Sequence, residues 1–187
     1  MHIHAATYAY TCIQEGLFSS EDLRGAGYYC SEMRAASFGI EELKQAGYSG
    51  SEMRIAGFSA SQMREASFTC KKVRAAGYSA AEALEAGWSV EVLKAAAYDT
   101  RELREARRGA GELRAVGFTL RELIDGGYPT QELQSVGYGA EELRAAGVKL
   151  AELAMAGATV AQLKAAGISV IGLKAEGMPL WELKAAI

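Results

Sequence analysis

The sequence predicts an all-α solenoid, a superhelical rod of about nineteen short helices, one for each ten-residue unit. Three observations predict it: an uninterrupted decapeptide repeat, a helix-start signature inside each unit, and a glycine where each helix has to end. The repeat reads A-G-[FY]-[ST]-x-x-E-[LM]-[RK]-x, as in Ala46-Gly47-Tyr48-Ser49-Gly50-Ser51-Glu52-Met53-Arg54 and again in Ala56-Gly57-Phe58-Ser59-Ala60-Ser61-Gln62-Met63-Arg64. Its phase never slips over the 187 residues, so a repeat position can be named by the last digit of the residue number. Position 3 runs from Ile3, Ile13, Leu23 and Met33 to Leu183, and all nineteen residues there are apolar.

Each helix has a start. A Ser or Thr side chain at position 9 can accept from the amide three residues on, while the acid or amide at position 2 reaches back, forming a capping box. Ser49 with Glu52, Ser59 with Gln62, Ser79 with Glu82, Thr119 with Glu122 and Thr159 with Gln162 fit it. The aromatic before the cap, such as Tyr48, and the apolar residue five later, Met53, form a hydrophobic staple. Each helix also has a stop: Gly57 falls where a left-handed residue closes a helix, and Phe58 follows as its apolar contact. Helices this short are unstable alone, so they must bury a face on their neighbours.

At about 100° per residue, positions 3, 6, 7 and 0 share one arc and form the expected core. Glu at position 2 and Arg or Lys at position 4 flank it, which predicts a ladder of intramolecular ion pairs. Three or four helices are expected per superhelical turn. Cys30 and Cys70, and Leu84 and Ile124, recur at a spacing of forty and favour four. The domain reading is one continuous solenoid over 1–187, with degenerate first units in 1–15, an irregular unit in 97–111 and aliphatic units in 145–187.

The composition excludes several classes. Half the residues are apolar and the formal charge is −3, which fits neither a disordered chain nor a strongly polyanion-binding one. No run approaches the roughly 18–20 apolar residues of a membrane span, and Met1-His2-Ile3-His4-Ala5 lacks the features of a signal peptide. Cys12, Cys30 and Cys70 have no metal-ligand or disulfide-framework spacing, so reduced thiols and a cytoplasmic location are expected. His2 and His4 are the whole imidazole supply, and no nucleophile, phosphate-loop or metalloprotease motif is present. No enzyme activity, metal site or cofactor is expected.

Two stretches break the pattern and are candidate sites. Arg107 and Arg108 replace the glycine and aromatic, so the preceding helix is expected to run on to about Arg108 and end at Gly109. Arg101, Arg104, Arg107 and Arg108 would then form an anion patch. In the last quarter Val148, Ala158, Ile168 and Met178 replace the joint aromatics, and outer positions become apolar. Met155, Ile171, Trp181 and Ile187 are the candidate partner or self-association surface.

The repeated Ala-Gly-[Phe/Tyr]-[Ser/Thr]-x-x-Glu-Leu-[Lys/Arg] resembles tandem decapeptide-repeat proteins, from about Gly16 to Ala186. The resemblance implies a short-helix repeat fold and carries no activity with it. The expected function is a non-catalytic structural or protein-interaction scaffold, a homo-oligomer through its C-terminal end. The alternative is nucleic-acid or polyanion binding along the basic row, which the acids on the opposite flank disfavour.

Overall fold

The computed structural model describes residues 18–175 and 177, and every helix among them is an α-helix of six residues in an unbroken ten-residue rhythm. The chain divides into two compact units after Tyr98. The N-terminal unit holds α1 (Ser20–Gly25), α2 (Cys30–Ala35), α3 (Ile40–Gln45), α4 (Gly50–Ile55), α5 (Ala60–Glu65), α6 (Cys70–Ala75), α7 (Ala80–Glu85) and α8 (Val90–Ala95). The C-terminal unit holds α9 (Thr100–Glu105), α10 (Ala110–Ala115), α11 (Leu120–Asp125), α12 (Thr130–Ser135), α13 (Ala140–Ala145), α14 (Leu150–Met155), α15 (Val160–Ala165) and α16 (Val170–Ala175).

The caps form as the sequence predicts. In α4 the Glu52 amide donates to Ser49 Oγ at 3.2 Å and the Ser49 amide to Glu52 Oε2 at 2.7 Å. All five expected boxes are present. At the other end Tyr48 N–H donates to Leu43 O and Gly47 N–H to Lys44 O, both at 3.0 Å, which is the Schellman pair. Position 7 is left-handed throughout the described residues; Gly57 takes φ +87° without cost, whereas Ser37, Ser67, Ala97 and Arg107 take it with a side chain. Arg107 therefore overturns the expected helix extension. The helix ends at Glu105, Arg107 sits at φ +60°, and Gly109 is the extended cap of α10. The bonds Arg107 N–H to Arg104 O at 2.9 Å and Arg108 N–H to Leu103 O at 3.0 Å offset the ~1–2 kcal/mol left-handed cost.

Packing is where expectation and structure part most. In the N-terminal unit α1 packs on α3, α2 on α4, α4 on α6, α5 on α7 and α6 on α8; in the C-terminal unit α9 packs on α11, α10 on α12, α12 on α14 and α13 on α15. Each unit thus has two columns of alternate helices, and the turn closes every two helices in place of the expected three or four. The left-handed residue and the extended cap after it bring the chain back so quickly that the next helix but one is already in register. The spacing of forty that suggested four helices per turn spans two such turns.

The core consists of positions 3, 6, 8 and 0. Leu43, Met53, Leu93 and Leu103 are fully buried, with Ala46, Tyr48 and Ala60 around them. The expected inclusion of position 7 was wrong, because its glycines are exposed while the aromatics at position 8 are buried. The chain has left the helix by position 7, so helical angles no longer apply there. Residues 26 apart fit by volume: a Cβ on Gly50 would lie 3.1 Å from that of Ala76, and one on Gly126 would lie 2.7 Å from that of Thr100. The buried Thr100 hydroxyl is satisfied by Glu122 O at 2.7 Å.

Candidate interaction surfaces

The basic row at position 4 points inward to the joints. Arg24 Nη1 donates to Ala46 O at 2.8 Å, Lys44 Nζ to Ala66 O at 2.7 Å and Arg64 Nη1 to Ala86 O at 2.6 Å; Arg34 and Arg114 reach Ala56 O and Val136 O in the same way. These carbonyls end helices two units further on, where unpaired C=O groups and the negative end of the dipole favour a cation. The same side chains cover the joint aromatics: Arg24 lies 5.0 Å from the Tyr48 ring centroid, Arg34 4.6 Å from Phe58 and Arg114 4.3 Å from Tyr138. Glycine makes room for them. A Cβ on Gly77 would stand 3.2 Å from Arg54 Nη1, and one on Gly137 3.0 Å from Arg114 Nη1.

The exceptions follow the same logic. Ser67 replaces glycine where the approaching cation is the slimmer Lys44, and at Ala97 the Arg74 guanidinium shifts to the Ala97 carbonyl. Ile124 offers no cation to Gly147, and Arg121 supplies it instead, donating to Ala146 O at 3.1 Å. Of the expected Glu–Arg pairing between helices, Arg24 helps lower the Glu52 carboxyl and Arg54 the Glu82 carboxyl. Closer ion pairs join neighbours in sequence: Lys44 with Glu41 at 3.5 Å, Arg108 with Glu112 at 3.9 Å and Arg121 with Asp125 at 3.3 Å. Glu52 and Glu82 at position 2 cap helix starts, and Arg24, Lys44 and Arg64 at position 4 cap helix ends, so these side chains are engaged by backbone.

Tyrosines at position 8 tie the stack together. Tyr48 donates its hydroxyl to Tyr28 O at 2.6 Å, Tyr78 to Phe58 O at 2.5 Å, Tyr98 to Tyr78 O at 2.9 Å and Tyr128 to Arg108 O at 2.7 Å. Burial, with the Glu132 carboxylate nearby, pushes the Tyr128 phenol up to about 12. Burial, followed by Glu52, pushes the Cys30 thiol up to about 11, and burial also raises Cys70. Both thiols are free.

The proposed sites divide. Arg101, Arg104 and Arg107 are exposed, and Arg104 Nη1 stands 3.0 Å from where a Cβ on Gly127 would be. Arg108 is drawn into the joint, its Nε donating to Ala106 O at 3.4 Å. Met155 and Ile171 are 79% and 82% exposed and belong to alternate helices of one column, α14 and α16. Trp181 and Ile187 lie outside the described residues, as do His2, His4, Cys12 and Met178. Among the described residues no His, Cys, Asp or Glu group is arranged to hold a metal, and no helix is long and apolar enough to cross a membrane.

With the repeat geometry established, comparison with known families is decisive. The model of the decapeptide repeat region matches residues 7–80, 67–140 and 127–186. The chain belongs to the decapeptide repeat family. No curated protein and no solved structure matches it. The decapeptide unit supplies a structural repeat scaffold, and its outer positions carry what is particular to this chain.

Position 5 is the most informative of these. In the N-terminal unit it holds Gly25, Gln45, Glu65 and Glu85 on the column α1, α3, α5, α7, and Ala35, Ile55, Ala75 and Ala95 on the column α2, α4, α6, α8. In the C-terminal unit Glu105, Asp125, Ala145 and Ala165 share one column and Ala115, Ser135, Met155 and Ala175 the other, so the contrast ends after Asp125. This alternation was present in the sequence, and only the two-helix turn gives it meaning.

Proposed function

We propose that this decapeptide repeat protein is a non-catalytic scaffold that associates with itself through its C-terminal repeats. The observation that carries the reading is the exposure of Met155 and Ile171 on one column, at positions where most other units place alanine or polar residues. The free, buried Cys30 and Cys70 fit a reducing, cytoplasmic setting. Polyanion binding along the basic row gains less support, because those guanidinium groups are committed to carbonyls and rings within the units.

Light scattering coupled to size exclusion tests the reading. The intact chain should elute as an oligomer, and Met155→Glu with Ile171→Glu as a monomer of unchanged helicity. A monomeric intact chain sinks self-association. Retention of single-stranded RNA at low salt, lost as salt rises, would favour the polyanion reading.

A further inference from the structure

A joint carbonyl in this repeat is capped by a cation, and the chain repairs the cap where the usual donor is lost. Ile124 stands at the position 4 that serves Ala146 O, and Arg121 donates there in its place at 3.1 Å. Ala106 O accepts from Arg108 Nε at 3.4 Å. Two carbonyls further along go without. At the separation of 22 that joins Arg24 to Ala46, Gln134 is the residue placed to serve Ala156 O, and Arg144 the residue placed to serve Ala166 O. A Cβ on Gly157 or Gly167 would meet nothing within 4 Å, whereas one on Gly87 or Gly127 would meet the guanidinium of Arg64 or Arg104. Both joints keep the shape of a cation seat: a carbonyl at the negative end of a helix, beside a left-handed glycine with open space over it.

The loss of the ring explains why Arg144 does not settle at Gly167. Ile168 stands where Phe58 and Tyr138 hold a guanidinium by the ring face, so that half of the attraction is missing. Arg144 is exposed, and its side chain makes no hydrogen bond or ion pair among the described residues. It lies on α13, which packs on α14, and the end of α14 carries the seat at Ala156. The residue before that seat is the exposed Met155, so an apolar contact and a hydrogen-bond acceptor lie side by side.

We propose that two copies of this chain exchange Arg144: the guanidinium of each caps the Ala156 carbonyl of the other and lies over its Gly157, beside Met155. The proposal rests on the self-association reading and names the side chains that make the contact specific. The repeat itself decides the class of occupant, because Arg24, Lys44, Arg64 and Arg114 fill the equivalent seats. The position of Arg144 decides its source. Donor and seat share one patch of neighbouring helices, so a single two-fold axis through that patch satisfies both contacts and closes the pair. Arg101 and Arg107 are exposed too, but they stand on α9 and its joint, five helices before the seat.

Sedimentation equilibrium of the full chain tests the exchange. Gln134→Arg restores an in-chain cation and fills the seat, while Arg144→Met removes the donor. Each should weaken association about tenfold or more with circular dichroism unchanged, and Gln134→Arg should also melt at a higher temperature. Gln134→Met fills no seat, and Arg144→Lys keeps a cation of the kind that Lys44 supplies to Ala66 O, so both should stay within about threefold of the intact chain. Mixing gives the sharpest result. The Arg144→Met chain still offers a seat and the Gln134→Arg chain still offers a donor, so the mixture should associate more tightly than either variant alone. A mixture no tighter than its components overturns the proposal. So does weakening by Gln134→Arg with none by Arg144→Met, which would put a different cation in the seat. If Met155→Glu with Ile171→Glu disperses the oligomer while Gln134→Arg and Arg144→Met do not, self-association stands and the exchange falls; a monomeric intact chain removes both.

Discussion

The joint glycine has two duties, and they can be separated residue by residue. Gly87 and Gly157 share φ +87°, but a guanidinium from Arg64 lies over Gly87 and nothing lies within 4 Å of a Cβ on Gly157. Gly157→Ala should cost about 1 kcal/mol, the price of a left-handed alanine. Gly87→Ala should cost about 1 kcal/mol more, because it also evicts Arg64 from Ala86 O and from the Trp88 ring. Urea denaturation checks both, and in the Arg64→Met background the extra cost should vanish. Equal costs in the wild-type background would mean that the cation contributes nothing. By the same reasoning Arg107→Gly should raise stability by about 1 kcal/mol, since the position is already left-handed. Reactivity follows burial too: with its thiol held at about 11, Cys30 should resist a disulfide reagent at neutral pH until the chain unfolds.

At the scale of one helix, the sequence was almost fully legible, because a cap is a local event. Ser49, Glu52, Gly57 and Phe58 announce start and stop within ten residues, and the structure places each where that reading requires. The destination of Arg24 was not legible, because its acceptor is a carbonyl 22 residues away and carbonyls look alike in a sequence. Pro129 illustrates both sides. It has no N–H to offer Glu132, so the carboxylate accepts instead from Ala110 N–H at 2.7 Å, in the helix two units back. The capping boxes also give folding a pH dependence with a definite sign. Hydrogen bonds from the Ser49 side chain and backbone hold the Glu52 carboxyl below its ordinary value. At Glu82 burial opposes the shift, and bonds from Ser79 outweigh it to leave that carboxyl lowered as well. A carboxylate lowered on folding stabilises the native state above its unfolded value of about 4.3, and that stability is lost as pH falls through the folded value. Urea midpoints should therefore drop below about pH 4, and replacing Glu52 and Glu82 with glutamine, as Gln62 already stands, should shrink the drop.

At the scale of the whole molecule the repeat of ten conceals a turn of twenty, and the consequences reach from packing to surface. A ten-residue consensus averages the two columns, so it erases the alternation of Ile55 and Ala75 with Glu65 and Glu85 that distinguishes their outer faces. The same averaging hides the matched volumes at a separation of 26, such as Thr100 with Gly126. The turn can be tested covalently. A Cβ on Gly111 would lie 3.9 Å from Val136 Cβ, inside the 3.5–4.5 Å range of disulfides. Gly111→Cys with Val136→Cys should oxidise in air, show the mass loss of a disulfide, and melt at a higher temperature than its reduced form; closing a loop of that length adds about 3 kcal/mol. Gly111→Cys with Ala151→Cys, forty apart as a four-helix turn would require, should stay reduced in the folded protein. If the second pair closes and the first does not, the turn contains four helices, and the two-column description of both units fails with it.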